Sequence, residues 1–506
     1  MKKARAIAAP LLGLVGILAG AGLLSQNSVY AQGVGIGGPL PPVPIEPNLV
    51  KLEPIEQLGK HLIFDTTMSN PPGYACVQCH AYTAGFTSGL EPIVNIIDGV
   101  PPGVVPGRWD NRKAYTYGYA AFSPQGPYYD STLAVWIGGN FWDGRAFDTA
   151  MQAQGPPINP NEMNNTPVGS PPFDQYPPLL IKKIQNRPYS YLFKQIFGPD
   201  VFTKYTPLQL YDIWGEAIAA YEATGEVCQF SSKYDASKYG VPARNLYKLS
   251  ASEERGRILY GVGPNPKNNR NFGKAQCFQC HSSAANPAIG LETDGKETFT
   301  MYCFANIGVP KNPNNPYYAM TNPATNPTGY NPLGRKWIDY GLGANPTGSL
   351  DGTRFYNKKP GDIPRFRGLF LTPTTRNADL RPRPTFVKSY FHNGWSKSLQ
   401  EVVHWYNTRN IAVDPNTGRK VAFDLREGPP TGYDRLWPAP EVLENVQNVI
   451  GYTAAEAAAK GTSGVTAENG QVGNLGLTAS EEADLVNFLK ILSDGYTSPN
   501  PAYGGE

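Results

Sequence analysis

The chain has almost no net charge. Its 44 Lys and Arg residues exceed its 41 Asp and Glu residues by only three. Lys2, Lys3 and Arg5 account for this excess, and removing them with a signal peptide leaves equal numbers of the two signs. Without a basic excess a protein neutralises few phosphate groups, which argues against nucleic acid as a partner.

Side chains that bind metals are also scarce, with six Cys and five His among 506 residues. Most of them form two copies of one motif, Cys76-Val-Gln-Cys79-His80 and Cys277-Phe-Gln-Cys280-His281. C-x-x-C-H is the attachment signature of haem c: each thiol forms a thioether with one vinyl group, and the adjacent imidazole ligates the iron. A zinc or redox C-x-x-C followed by a chance His is the alternative. Two copies in so Cys-poor a chain favour two covalently bound haem c groups.

The N-terminus has the pattern of a secretory signal. Its three basic residues are followed by an apolar run, residues 6–24, and by the small-residue cleavage site Val29-Tyr30-Ala31. We predict a signal peptide over residues 1–31, a mature chain beginning near Gln32 and a periplasmic or otherwise exported protein. An uncleaved membrane anchor is the alternative. Haem c attachment and disulfide formation both belong to exported proteins.

Two haem motifs about 200 residues apart predict two haem domains. With 54 Gly and 49 Pro residues, much of the chain must be turns and extended connections, so we expect few helices, concentrated around the haems. The predicted divisions are a Pro- and Gly-rich linker at 32–50, an N-terminal haem domain at 51–240, a C-terminal haem domain at 241–495 with an Asn- and Pro-rich insertion at about 310–360, and a tail at 496–506.

Capping signals predict four helices. In the helix that begins after Ser398, Leu399, Val402, Val403 and Tyr406 lie on one face, so Tyr406 points inward. A long Asn- and Pro-rich loop is usually functional or disordered, and we expect this one to cover the second haem domain or to form a partner surface. The other predicted helices follow Thr206, span residues 251–260 before Gly261, and follow Thr478.

Five further stretches, with the two haem motifs, resemble the bacterial di-haem cytochrome c peroxidases and MauG. The resemblance extends over roughly residues 52–493 in the family's order. It implies a mainly α fold with two cytochrome c-like domains, one haem each, and a site between them. The stretches are Phe141-Trp-Asp-Gly-Arg145, Asn159-Pro-Asn-Glu-Met163, Asn306-Ile-Gly-Val-Pro310, Thr372-Pro-Thr-Thr-Arg-Asn377 and Phe391-His-Asn-Gly394.

The resemblance assigns the peroxide reaction to the haem held by His80 and electron exchange to the haem held by His281. Trp142 matches a tryptophan that relays electrons between the two haems; a core Trp is the alternative.

Three other positions match the family's catalytic pocket. Gln152 and Glu162 match its distal pair, and Pro156 matches a pocket-shaping proline. Breaking the O–O bond of H₂O₂ needs a base that takes one proton and an acid that returns one, which suits a carboxyl group. A solvated loop charge is the alternative for Glu162.

The sequence departs from the peroxidases at the second haem. The axial Met that they carry fourteen residues after the His of F-H-x-G is Tyr406 here, and no Met follows Met320. Since MauG also has a tyrosine there, Tyr406 resembles an axial tyrosinate ligand, which would lower the potential of the iron. A core Tyr and ligation by His404 are the alternatives.

A second departure concerns the first haem. Many of the peroxidases carry a His, about sixteen residues after the first motif, that blocks the iron until reductive activation. This chain has no His between His80 and His281. We therefore expect an open first haem that needs no activation.

Three features stay open at this stage. Ala275 replaces a surface tryptophan of MauG, so the same protein substrate is not expected. The family's interdomain calcium site has a weak side-chain pattern here, and Ca²⁺ is left undecided. Cys228 and Cys303 lie outside the haem motifs and form either a disulfide or a pair of buried thiols.

The sequence therefore predicts an exported di-haem c-type peroxidase that uses hydrogen peroxide to oxidise an electron-donor redox protein or a protein side chain. One alternative is a haem-dependent dioxygenase of the rubber-oxygenase type, which uses an open N-terminal haem to bind O₂. The other is a non-catalytic di-haem electron carrier. The oligomeric state is not predicted.

Overall fold

The computed structural model describes residues 51–91, 93–131, 133–170, 174–239, 248–281, 296–324, 326–344, 364–461 and 471–495. The predicted signal peptide, linker and C-terminal tail lie outside the described residues. The described part is mainly α-helical, as the sequence predicted. None of its helices is long and apolar enough to cross a membrane.

Thirteen α-helices occur in the described residues, linked by short 3₁₀ turns and long irregular segments. They are α1 Pro54–Phe64, α2 Cys76–Cys79, α3 Thr149–Ala153, α4 Gly155–Ile158, α5 Pro178–Gln185, α6 Ser190–Phe197, α7 Val201–Lys204, α8 Pro207–Glu222, α9 Lys233–Tyr239, α10 Ala251–Tyr260, α11 Leu399–Thr408, α12 Ala454–Ala459 and α13 Ala479–Lys490.

The strands are short and form four small antiparallel sheets. Three sheets have two strands each, and in the fourth the strand Ile411–Val413 lies between Lys420–Ala422 and Asp434–Arg435. One two-stranded sheet joins segments far apart in sequence, with Phe304 opposite Leu371. The strands are β1 Tyr128–Asp130, β2 Val135–Ile137, β3 Val168–Ser170, β4 Asp174–Tyr176, β5 Phe304–Ala305, β6 Phe370–Leu371, β7 Ile411–Val413, β8 Lys420–Ala422 and β9 Asp434–Arg435.

We call the described residues up to 239 the first half and those from 248 onwards the second half. In the first half, α1 packs against α8. The Thr206 side chain caps α8 by accepting a hydrogen bond from the backbone N–H of Gln209 (3.3 Å), as the sequence predicted. The helices meet so closely at Gly59 that a Cβ there would lie 1.9 Å from the Ala217 carbonyl oxygen. Only glycine fits this crossing.

The second half contains a matching crossing of α10 with α13. A Cβ on Gly256 would lie 2.1 Å from the Asp484 carbonyl oxygen. Both helices have the predicted limits: α10 ends at Gly261 in the left-handed conformation, and Thr478 and Glu481 form a reciprocal capping box on α13. In each half the first helix of the pair precedes the C-x-x-C-H motif. The crossings therefore form two equivalent frameworks.

The cap of α11 differs from the prediction. Ser398 accepts the backbone N–H of Glu401 (3.1 Å), but the Glu401 carboxylate accepts the N–H of Lys397 (2.7 Å), one residue before the expected partner. Ser398 lies in extended backbone, and Ser396 also donates to the same carboxylate oxygen (2.6 Å). The helix begins where predicted with half of a capping box.

The apolar side chains form two large buried clusters, one around α1, α5, α6 and α8 and the other around α10, α11 and α13. The first cluster also contains Tyr302, Phe304 and Leu371, which come from the predicted C-terminal domain. The core of the first half is thus completed by chain that follows the second haem motif.

Buried charge joins the two halves. The Arg376 guanidinium, with no exposed side-chain surface, donates two hydrogen bonds to Asp235 at 2.8 and 2.7 Å. Nearby, the Tyr119 hydroxyl donates to Asp494 (2.7 Å). The helix that carries Asp235 packs in the second apolar cluster through Tyr234, whereas Tyr119 belongs to the first cluster. The Tyr119–Asp494 hydrogen bond and the Arg376 guanidinium, 5.1 Å from the centre of the Tyr119 ring, therefore link the two halves.

Lys388 makes a second link. Its amine nitrogen donates to the backbone carbonyls of Ala84 (2.9 Å), Asn377 (2.9 Å) and Leu380 (3.2 Å). Ala84 lies four residues after His80, whereas the other two carbonyls belong to the second half. Lys388 is only 4% exposed, so these carbonyls have little access to water.

The described part of the Asn- and Pro-rich insertion packs against residues 98–112 of the first half, which the sequence did not predict. The Asn312 side chain donates to the Asp98 carbonyl (2.9 Å), and the Asn315 side chain donates to the Asn111 carbonyl (2.9 Å). These side-chain amides satisfy backbone groups where regular structure is absent.

We expect Lys388→Met to lower the free energy of unfolding by about 2–4 kcal/mol, because it removes three hydrogen bonds of a buried amine and leaves the Leu380 carbonyl without a donor. The other two carbonyls keep a second donor, the Thr87 hydroxyl at Ala84 and the N–H of Leu380 at Asn377.

The control is Lys60→Met, which removes a half-exposed ion pair with Glu226 and should cost less than about 1 kcal/mol. Chemical denaturation of both variants measures the difference. Equal losses would contradict the assigned role of Lys388.

Candidate haem sites

The first haem motif lines a cavity in the first half. Cys76 and Cys79 lie at the two ends of helix α2, and the His80 ring follows directly. The Nδ1 of His80 is 3.0 Å from the Phe86 carbonyl oxygen, which leaves Nε2 for a metal. Burial lowers the pKa of His80 to about 4, so the imidazole is in the neutral, ligating form.

The second motif lines a larger cavity of about 240 Å³. Cys277 and Cys280 lie at a 3₁₀ turn, and the Tyr260 hydroxyl donates to the His281 carbonyl (2.9 Å). The His281 Nδ1 is buried with no hydrogen-bond partner. Burial lowers the pKa of His281 to about 4, so a neutral imidazole lies beside two thiols in a mostly apolar cavity, which fits a haem ligand.

The donor sets of both cavities therefore fit one haem c each. In the described residues no group of three or more His, Cys, Asp or Glu side chains is arranged to hold a metal ion. The calcium site stays undecided.

Trp142 lines both cavities and is 9% exposed. Its Nε1 donates to the Lys113 carbonyl (2.7 Å), and its own carbonyl accepts the N–H of Leu371 (2.8 Å). Its ring meets the Tyr115 ring edge-on, with centroids 4.8 Å apart. The ring is thus fixed between the two predicted haems.

The predicted distal residues Gln152, Pro156 and Glu162 all line the first cavity. Gln152 lies on α3, which Asp148 caps by accepting the N–H of Met151 (2.9 Å). Glu162 lies in the loop after α4, where its Oε1 accepts the Asn159 side-chain amide (2.6 Å). The structure thus brings the three residues into one cavity with the first motif.

Glu162 is not the solvated loop charge that the sequence left as an alternative. Burial and the negative charge of Asp110 raise its pKa, while Arg145 and Asn159 lower it, and together they place this pKa at about 8. It therefore holds and releases a proton near neutral pH.

Tyr406 lies on α11 and lines the second cavity with Cys277 and Cys280. Burial raises its pKa, whereas the positive charge of the buried Arg409 lowers it. The competing residue His404 does not line this cavity: its Nδ1 is 2.9 Å from the Glu482 carboxylate on α13. Of the two, only Tyr406 faces the second cavity.

The first cavity contains charged and apolar residues that the sequence analysis missed. The thioether of Met163 lines this cavity. Among the described residues, His80 is the only His that lines it. Arg145 also lines it. Met163 and Arg145 belong to stretches that carry the family resemblance, but the sequence assigned them no role. Sequence spacing gives no signal for the other three, Asp110, Lys113 and Glu222, because they come from segments far apart in the chain.

Cys228 and Cys303 do not form a disulfide. Both are buried free thiols: the Cys228 sulfur donates to the Glu222 carbonyl (3.3 Å), and the Cys303 sulfur is 3.4 Å from the Thr372 hydroxyl. Ala275, the position of the missing surface tryptophan, is 3% exposed.

Comparison with known proteins supports this geometry. The family profile described as di-haem cytochrome c peroxidase matches residues 53–241. The methylamine utilization protein MauG of Paracoccus denitrificans is 28% identical over 443 residues, which cover 87% of this chain and 89% of MauG. The cytochrome-c peroxidase IdrP1 of Denitromonas iodatirespirans is 26% identical, with 77% of this chain and 82% of IdrP1 covered.

A solved structure agrees over most of the chain. The diheme peroxidase BthA from Burkholderia thailandensis E264 superposes with a TM-score of 0.59 at 26% identity, covering 91% of this chain and 92% of BthA. The relatives are named as peroxidases or as MauG, and the match extends over both haem motifs. The chain is therefore similar to di-haem cytochrome c peroxidases and to MauG over most of its length.

Proposed function

We propose that this protein is an exported MauG-like peroxidase with two covalent haem c groups, in which H₂O₂ reacts at the His80 side and an external donor supplies electrons. The observation that carries the proposal is one cavity that combines His80, Gln152 and Glu162 with Trp142, which also lines the second cavity.

Haem bound in the first cavity supplies the iron that binds peroxide and the electrons that break its O–O bond. The Glu162 carboxylate takes a proton from the bound peroxide and returns one to the departing water. Gln152, on the same cavity wall, offers an amide to orient the peroxide, and Pro156 narrows the pocket.

Trp142 is the proposed electron relay. The indole N–H donates to the Lys113 carbonyl and the Trp142 backbone carbonyl accepts the N–H of Leu371, so the residue is held between the cavities and needs no movement to serve both. Tyr115, in edge contact with it, donates its hydroxyl to the Thr372 carbonyl (3.2 Å). One aromatic side chain is therefore in reach of both cavities.

Tyr406 is the residue that would ligate the iron of the second haem together with His281, since both line the second cavity. An anionic oxygen donor stabilises oxidised iron, and the positive charge of Arg409 supports the tyrosinate. The donor is a small redox protein or a protein side chain. Because Ala275 is buried where MauG has a surface tryptophan, a MauG-type route through that position is not proposed.

A haem dioxygenase is the second candidate function, since an open first haem also suits O₂. The cavity position of Glu162 favours peroxide chemistry, and product analysis with O₂ or peroxide as the sole oxidant discriminates the two. An electron carrier would need both irons six-coordinate. Met163 lines the first cavity and would be the sixth ligand in such a carrier. CO binding to the reduced protein tests this alternative.

The diferric protein should react with stoichiometric H₂O₂ without prior reduction, with fast changes in the absorption bands of both haems. The reason is that no second His lines the first cavity in the described residues. Stopped-flow absorption measures the reaction. A spectrum that stays unchanged until one haem is reduced would overturn the open-haem proposal.

Glu162→Gln should slow the reaction with peroxide by about 10²–10⁴-fold, because the amide accepts no proton. In the unaltered protein the rate should rise with pH through about 8, as Glu162 loses its proton and becomes the base. The variant should lose this rise. Glu216→Gln is the control, because Glu216 is another carboxyl with a pKa raised by burial, to about 7, that does not line the cavity.

Tyr406→Phe should open a coordination position at the second haem. The reduced unaltered protein should then bind one CO and the variant two, as counted by CO titration. His404→Gln should leave the stoichiometry at one, because His404 faces Glu482. A change in the His404 variant alone would show that the ligand had been assigned to the wrong residue.

A further inference from the structure

The Glu162 carboxylate is anchored to its own loop through one oxygen. Its Oε1 accepts the Asn159 side-chain amide (2.6 Å), while no donor in the described part of the chain bonds to its Oε2. The Asn159 side chain is held in turn, because its Oδ1 accepts the backbone N–H of Asn161 (2.9 Å). Asn159 itself does not line the first cavity, so it acts on the cavity through Glu162.

This chain of hydrogen bonds continues into the Asn- and Pro-rich insertion. The Asn161 side-chain amide donates to the Gly329 carbonyl (3.0 Å), which lies 168 residues further along the sequence. Gly329 fits closely against this side chain, since a Cβ there would lie 2.4 Å from the Asn161 Oδ1. Its φ of +75° is in the left-handed region, which also favours glycine. Three successive hydrogen bonds therefore connect a backbone carbonyl of the insertion with the Glu162 carboxylate.

Arg108 joins the same loop to the insertion a second time. Its Nη1 donates to the Pro160 carbonyl (3.1 Å) and to the Asn164 side chain (2.8 Å), so it holds the loop on both sides of Glu162. Its Nε donates to the Asn326 side-chain oxygen of the insertion (2.9 Å). Both Arg108 and Asn326 are buried. Since the insertion belongs to the second half, a segment that follows the second haem motif fixes the loop of Glu162 in the first.

We propose that the insertion positions Glu162 for its reaction with peroxide and that Asn159 and Asn161 are the positioning residues. This deepens the proposed function and rests on it. The two asparagines exchange neither protons nor electrons with the substrate. They hold the carboxylate at the cavity in the diferric protein, where it takes the proton of bound peroxide and returns one to the departing water.

The hydrogen bond from Asn159 gives this positioning a signature in the pH dependence. Burial and the negative charge of Asp110 raise the pKa of Glu162, whereas Arg145 and the Asn159 amide lower it. Loss of the amide therefore raises this pKa, whereas a general loosening of the fold, which admits water, lowers it. The other titratable groups that interact with Glu162 are Tyr74, Cys76 and Cys79, and the two thiols stop titrating when they form thioethers.

Gly329→Ala is the first test. The added methyl group collides with Asn161 and so disrupts the hydrogen bond to Gly329. The reaction of the diferric holoenzyme with stoichiometric H₂O₂ should slow by about 10–100-fold in stopped-flow absorption, because a small misplacement of a catalytic group has effects of this size. Gly432→Ala is the matched control: its φ of +86° gives similar backbone strain, but no atom lies within 4 Å of the added Cβ, and its rate should not change. An unchanged rate in Gly329→Ala would overturn the proposal.

A double-mutant cycle tests whether Gly329 acts through Asn161. If it does, Gly329→Ala combined with Asn161→Ala should react no more slowly than Asn161→Ala alone, because the collision is gone. Multiplied losses would show that Gly329 affects the reaction by another route, and the positioning role of Asn161 would be wrong. Haem content and CO binding of the reduced protein are measured for each variant, so that a loss of folding is not mistaken for a loss of positioning.

Asn159→Ala lies outside the insertion, so it decides the matter even if Gly329→Ala does not fold. The midpoint of the pH profile of the peroxide reaction should rise by about one unit, since the variant removes a hydrogen bond that stabilises the ionised Glu162. A slower reaction with an unchanged or lower midpoint would mean that Asn159 only supports the fold.

Glu222 is the other carboxyl group of the cavity whose pKa burial raises to about 8. Glu222→Gln therefore serves as a background in which the shift caused by Asn159→Ala should persist. If the shift disappears in that background, the pH profile belongs to Glu222 and the role of Asn159 is refuted.

The failures of the two proposals are distinguishable. If Glu162→Gln keeps full reactivity with peroxide, the proposed function loses its base and the positioning proposal fails with it. If Glu162→Gln loses reactivity while Gly329→Ala and Asn159→Ala behave like the unaltered protein, Glu162 is the base but needs no support from the insertion, and only the positioning proposal is wrong.

Discussion

The position of Trp142 depends on one hydrogen bond across the junction of the two halves. Its carbonyl accepts the N–H of Leu371, which belongs to a strand that follows the second haem motif. Its indole donates within the first half, to the Lys113 carbonyl. If the two halves shifted relative to each other, Trp142 could not keep both hydrogen bonds. The two cavities are therefore held in one fixed relation, and the proposed transfer of electrons needs no domain movement.

Burying charge at this junction has a cost that the structure offsets with close partners. Arg376 lies without solvent contact but faces the Asp235 carboxylate with two hydrogen bonds, and Lys388 faces three carbonyls. Such groups tolerate few alternative arrangements, because a small displacement leaves a charge unpaired in a medium of low dielectric constant. A junction of this kind gives geometric precision, which electron transfer between fixed groups requires. An apolar junction of the same size would define the relative position of the halves less sharply.

The sequence predicted what depends on near neighbours. The helix after Thr206 and the end of α10 at Gly261 follow from capping and periodicity within a few residues. The family resemblance assigned Gln152 and Glu162 to one pocket, and both line the first cavity in the structure. It could not reveal Asp110 in that cavity or the contact of Asn315 with the Asn111 carbonyl, since these contacts join segments separated by up to about 200 residues and obey no spacing rule. The choice between a disulfide and free thiols at Cys228 likewise needed the packed structure.

The glycine crossings of the two halves point to the history of the chain. Gly59 and Gly256 occupy the same place in two helix pairs that frame the two haem motifs, although the sequence shows no convincing repeat beyond those motifs. A backbone contact this tight is easily inherited and hard to acquire twice. The simplest origin is duplication of an ancestral one-haem unit, after which the glycines were retained and the loops diverged.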